Sequence, residues 1–225
     1  MKIMKNKLSV LILSLLLIVS CDNTTQSTTN SSIETSINSI LSEDSAYKVS
    51  HELWEEVLKS TNNYSLSSYV LNDGTLELNS TVYITNDKIK VKTIDSTFYI
   101  SNEDNVCYSY QKHTSSVEYW TKSEWGSDFN TFLEGVSSVL YFSDKYNEFN
   151  FDSNDKIYFL KEKVTLNQDE IKSTLKNIKV GFINGSLKRI EYDVFQQIPE
   201  IGEVNHTVKI NNIGAVIVEL SNDVK

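Results

Sequence analysis

The sequence predicts an α+β fold in which an antiparallel sheet buries one face against helices. Three observations carry that prediction. Over residues 64–120 apolar and polar residues alternate with the period of two of half-buried strands, whereas Leu53, Trp54, Val57 and Leu58 just before them keep the helical period. Asn184-Gly185 stands between two alternating apolar runs, the signature of a two-residue hairpin whose central residues both need positive φ. A second helical stripe, Phe129, Phe132, Leu133, Val136 and Leu140, interrupts the strands.

Taken in order, residues 22–32 are Ser, Thr and Asn with nothing apolar, too little to bury, and read as a flexible tether. Ile33, Ile37, Ile40 and Leu41 then recur at helical spacing behind a capping-box pattern, Ser31-Ser32-Ile33-Glu34, so a short helix is expected there. Ser50 caps the next helix, with Val49 placed to staple onto Trp54 and Glu52, Glu55 and Glu56 suited to the helix dipole. Strands are expected over 64–71, 75–85, 88–94, 97–101, 105–113 and 117–121, split by turn residues such as Asn72-Asp73-Gly74 and Asn86-Asp87, with one face buried and one wet. Ser127 is the cap for the second stripe. Strands return after Phe151, and runs near 204–210 and 215–220 close a single domain over 45–225.

The first twenty residues are of another kind. Lys2, Lys5 and Lys7 precede about a dozen Leu, Ile and Val residues, the charged and apolar regions of a secretory signal, too short to span a bilayer. Ile18-Val19-Ser20-Cys21 follows and resembles the lipobox of bacterial lipoproteins. That resemblance implies cleavage of residues 1–20 and attachment of lipid to Cys21. It also implies a mature chain held at the extracytoplasmic face of the cell membrane, with residues 21–44 as its tether. A single acyl chain holds only marginally, so the two chains of a diacylglyceryl group are what make the anchor firm.

The formal charge is −9; the first twenty residues hold three lysines and no acid, which leaves the remainder near −12. Arg189 is the only arginine and no basic stripe exists, so phosphate backbones are repelled and nucleic acid is disfavoured as a partner. With Cys21 committed to lipid, Cys107 has no disulfide partner and reads as a buried strand thiol.

A search for chemistry returns little. His51, His113 and His206 lie far apart, and none has metal-ligand spacing. Asp152-Ser153-Asn154-Asp155 begins like a calcium loop, but Lys156 stands where the third ligand belongs. Gly135-Val136-Ser137-Ser138-Val139 lacks the second glycine of a nucleophile elbow. Tyr119, Trp120 and Trp125 cluster, either as ordinary sheet packing or as a platform for sugar or lipid. No catalytic residue, metal ligand or cofactor is assigned.

The order helix, long meander, helix, further meander resembles the LolA/LppX-type family of lipoprotein carriers. The ending Val208-Lys209-Ile210-Asn211-Asn212-Ile213-Gly214, followed by Val216 and Val218, is similar to how such domains finish. The resemblance implies a single curved antiparallel sheet, a half-barrel with two or three helices covering its concave face. It also implies a non-enzymatic binding domain for an apolar or lipid ligand. The competing reading is a surface or structural lipoprotein with a filled core that acts through protein contacts. An envelope hydrolase has only its location in favour. A cavity lined by apolar side chains, or a sheet packed solid against Phe129, Phe132 and Leu133, separates the first two.

Overall fold

The computed structural model describes residues 44–220, apart from 95, 104–105, 115–117, 125–128, 131–132, 134–136, 138, 169–170 and 199–201. The signal, Cys21, the tether and the helix expected over 33–41 therefore lie outside the described residues.

Helix α1 spans His51–Ser60 and begins as its sequence dictates: the Ser50 hydroxyl accepts from the Leu53 amide at 3.2 Å, Glu52 sits in the first turn and Lys59 in the last. Twelve strands follow: β1 Tyr64–Asn72, β2 Thr75–Ile84, β3 Lys88–Thr93, β4 Thr97–Glu103, β5 Val106–Thr114, β6 Glu118–Glu124, β7 Asn150–Asp152, β8 Ile157–Leu160, β9 Val164–Gln168, β10 Ile171–Ile183, β11 Ser186–Ile198 and β12 Gly202–Asn211. They form one antiparallel sheet in the order β6-β5-β4-β3-β2-β1-β12-β11-β10-β8-β7, with β9 paired to the first part of β10. Neighbours along this order are consecutive in sequence except at two places: β10 pairs with β8 as well as with β9, and the first strand pairs with the last, Ser65 opposite Asn211.

The hairpin at Asn184-Gly185 forms as read, with φ of 49° and 76°. A Cβ on Gly185 would stand 3.3 Å from the Leu53 side chain of α1, so the glycine also admits the helix. Ile178, Val180 and Phe182 on β10 and Ile190, Tyr192 and Val194 on β11 are all buried.

Several expectations need correction. The sheet is not covered by two or three helices, and it is open, ending at β6 and β7. Among the described elements α1 is the only α-helix. Of the second expected helix, Phe129, Asn130 and Leu133 are helical. By Leu140–Phe142 the chain is in a 3-10 turn, followed by another at Tyr146–Glu148. The expected stripe passes through Gly135, Val136, Ser137, Ser138 and Val139, which are poor helix formers by sequence.

The second face of the sheet is not simply wet either. Tyr99 and Tyr110 are buried there, against Val216 and Val218. Residues 215–220 join no ladder, contrary to the closing strand expected from their pattern. The Asn63 side chain holds them instead, accepting from the Val216 amide and donating to its carbonyl, each at 2.8 Å.

Candidate functional site

A ligand of the carrier type would sit between helix and sheet. That space is filled. Trp54 is wholly buried and packs against the rings of Tyr146, Phe149, Tyr158 and Phe182 at centroid distances of 4.9–5.6 Å. Its indole N–H donates to the Phe142 carbonyl at 2.8 Å, so the one polar atom of the side chain is satisfied in the core. Leu58, Phe142 and Tyr192 are buried completely beside it. Phe129 joins the same core and Leu133 packs on it; Phe132 lies outside the described residues.

Several polar groups on the buried face are paired with one another. Tyr64 donates to the Ser137 hydroxyl at 3.2 Å, and burial pushes its phenol up to about 12. The Ser68 hydroxyl lies 3.2 Å from His206 Nδ1, and burial lowers the imidazole from its ordinary value. Gln196 donates to the Ser173 hydroxyl at 3.1 Å. Of the other histidines, His51 stacks on Tyr146 at 5.3 Å and His113 belongs to β5. Cys107 is buried and in no disulfide.

The calcium-like turn serves the fold. Asp152 Oδ1 accepts from the amides of Asn154 at 2.8 Å and Asp155 at 3.3 Å, and Lys156 is drawn away to Asp44 at 2.5 Å. Hydrogen bonds from Lys156 and Ser153 hold the Asp44 carboxyl down at about 2. No cluster of three potential metal ligands occurs among the described residues. On β4–β6, Lys122 and then Ser101 and Tyr110 hydrogen-bond Glu103 and hold its carboxyl at about 2, a network with no open position. Trp120 rests on Tyr99 at 5.4 Å, Tyr119 is exposed, and Trp125 lies outside the described residues.

Two hollows open to solvent. A groove of about 550 Å³ over β8, β10 and β11 is lined by charged groups, Asp155, Lys161, Glu191 and Asp193 among them. Asp193 is already held by Asn177 at 2.6 Å and Thr207 at 2.8 Å. A smaller hollow of about 420 Å³ has aromatic walls, Tyr146, Phe149, Phe151 and Tyr158, with Lys48 and Asn147.

What stands out on the surface is a rim of leucines absent from the sequence reading. Leu71 is 66 % exposed, Leu76 44 % and Leu78 51 %, in the hairpin that joins β1 to β2. Leu71 pairs with Leu76 and Tyr69 with Leu78, so period-two alternation places all four on one face. Ile94, 82 % exposed, lies in the turn from β3 to β4. Antiparallel pairing puts both turns at the same end of the sheet. Asp44 is at the other end, where Asn184 of the β10–β11 hairpin donates to the Ala46 carbonyl at 2.6 Å. The nine residues of β1 separate the two ends by roughly 30 Å at the usual rise per residue. A signal existed in the sequence: leucines flank a tight turn in Leu71-Asn72-Asp73-Gly74-Thr75-Leu76, where turn flanks are ordinarily polar.

No family model and no curated protein sequence matches the chain. Among the described residues, no helix is long and apolar enough to cross a membrane.

Proposed function

We propose that this chain is a lipid-anchored extracytoplasmic protein whose domain works by contact with another protein, without a reaction of its own. The anchor rests on the Lys-rich start, the Leu/Ile run and Ile18-Val19-Ser20-Cys21. The observation that carries the contact reading is the leucine rim at the end of the sheet remote from Asp44, the first described residue after the tether. A chain held at its N-terminal side turns that rim outward, away from its own membrane. The packed rings around Trp54 favour protein contact over carriage of an acyl chain, because a carrier needs empty apolar volume.

The test is made in the producing cells. A photo-crosslinking side chain in place of Leu76 traps discrete protein adducts, and Leu71→Ser with Leu78→Ser removes them; the same probe at Lys179 gives none. Cys21→Ser abolishes partitioning into detergent. Native mass spectrometry of the domain finds no lipid beyond that on Cys21. Adducts that survive the leucine substitutions would sink the rim as the contact surface, and a co-purified acyl lipid would restore the carrier reading.

A further inference from the structure

The leucine hairpin presents backbone as well as side chains. β3 pairs with β2 from Ser80, opposite Thr93, to Ile84. β1 pairs with β2 as far as its end, Asn72 opposite Thr75. Thr75–Asn79 therefore has β1 on one side and, among the described residues, no strand on the other. The open lane continues the line of β3 past the turn at Ile94 and is about 17 Å long at the usual rise per residue.

The turn decides which backbone groups face that lane. Asp73-Gly74, with φ of 47° and 79°, is a two-residue hairpin loop, so the flanking pair Asn72 and Thr75 exchange both hydrogen bonds. Such bonds alternate along the ladder. Glu77 is therefore tied to Val70, while the N–H and C=O of Leu76 and Leu78 point into the lane. The two leucine side chains stand on one face of the hairpin. Glu77 stands exposed on the other, where the Asn72 amide donates to it at 3.2 Å. Sheet edges are ordinarily blunted by charge, Pro or brevity. The terminal strands comply: β7 runs only from Asn150 to Asp152, and β6 carries Glu118, Lys122 and Glu124. Thr75–Asn79 has no Lys and no Pro, and it sets leucines where its outward amides are.

We propose that this edge of β2 receives an extended strand of another protein, antiparallel, with apolar residues opposite Leu76 and Leu78 and a basic residue opposite Glu77. The inference rests on the rim being a contact surface and names what it contacts. Residues directly opposite each other share a face of the sheet, so the leucines meet apolar side chains and Glu77 meets a cation. A second copy of this chain fits less well. Two β2 edges paired about a twofold axis match Leu76 with Leu78 but set Glu77 against Glu77, in molecules whose charge beyond residue 20 is near −12.

Binding of a synthetic peptide to the full chain carrying Cys21→Ser tests this, read by fluorescence anisotropy. The probe is a capped strand that alternates leucine and lysine. In antiparallel addition its leucine amides bond β2 and its lysine amides face outward. N-methylation of the leucine amides is expected to weaken binding at least about tenfold, and N-methylation of the lysine amides to leave it unchanged. Leu78→Pro removes an outward N–H, leaves the β1 ladder whole and abolishes binding, where Leu78→Ala only weakens it. Glu77→Lys transfers the preference to a peptide that alternates leucine and glutamate. The methylated peptides need no variant, so their result stands even where a substitution disturbs the hairpin. No binding of the leucine–lysine peptide, or equal effects of the two methylations, would overturn strand addition; adducts trapped from Leu76 in cells would then still support a contact made by the leucine side chains alone. Equal binding of the leucine–glutamate peptide to the parent chain would rule out the basic partner. Dimers of the chain that exclude the peptide would seat a second copy on the edge and refute a foreign strand.

Discussion

At the end of the sheet nearest Asp44, the apolar side chains beneath α1 are enclosed and polar ones are paired, with Ile183 at 43 % the exposed exception: Trp54 among four rings, Tyr158 on Val49, Asp44 on Lys156. At the other end Leu71, Leu76, Leu78 and Ile94 stand in water. Both ends are built from the same alternating strands, so pattern alone does not distinguish them. The difference is what covers the sheet. Near Asp44, α1 and the 3-10 turns lie on it, and burial converts each apolar side chain into stability. At the rim the β1–β2 hairpin carries the same residue types into solvent, where they contribute little to folding.

The largest break of that contrast is expected at Trp54. Trp54→Ala should destabilise the domain by about 3–5 kcal/mol, from the cavity among four rings together with the Phe142 carbonyl left without its donor. Urea melts measure it; a loss below about 1 kcal/mol would mean that the ring cluster does not anchor the core.

Val180→Asp should cost several kcal/mol because it buries an unpaired charge, whereas Lys179→Asp, one residue away on the exposed face, should change stability by about 0.5 kcal/mol or less. Equal urea midpoints for the two would contradict the one-sided burial of β10.

A smaller effect sharpens the comparison through pH. Burial lowers the His206 imidazole below 6.5 in the folded state, so the unfolded chain takes up the proton first. Stability from this group is therefore full above the ordinary imidazole value and falls as the pH drops through it toward the folded value. In His206→Gln the urea midpoint should decline less between neutral and mildly acid solution; an unchanged slope would remove His206 as the cause.

Least of all should be the effect of Leu71→Ser, Leu76→Ser and Leu78→Ser together on the melting transition. Exposed side chains away from the core leave stability nearly unchanged, within about 0.5 kcal/mol each. A collapse of the melt in this triple variant would show that the rim is packed and not presented.

Local features were legible in the sequence, and non-local ones were not. The Ser50 cap, the Asn184-Gly185 turn and the six strands of the first meander lie within three residues of their expected limits, because each is decided by neighbours a few positions away. The pairing of β1 with β12 depends on contacts across the whole domain and has no local signature. The helix expected from Phe129 onward is helical at Phe129, Asn130 and Leu133, but it does not reach Leu140, where the chain is in a 3-10 turn. The second face was misjudged because alternation of Tyr108 and Tyr110 with Cys107 shows that two faces exist, not that both are covered. Covering the second one required Asn63 to hold residues 215–220. For the site, the sequence offered Cys21 and the aromatic cluster but not the rim, since exposure of Leu71 or Leu78 follows from what fails to pack on them.

The union of first and last strands also has a kinetic consequence. A chain that emerges N-terminus first presents β1 long before β12 exists, and β1 can meet only β2 until residues 202–211 arrive. During that interval one edge of β1 is bare hydrogen-bonding backbone, a template for pairing with any other extended chain. The meander β1–β6 therefore waits half-finished while residues 125–201 are made. Sheet closure across that separation is slow, because the loop must be ordered before its contacts reward it. A truncation that removes only residues 202–220 is therefore expected to leave an aggregation-prone meander with a bare β1 edge, not a smaller domain.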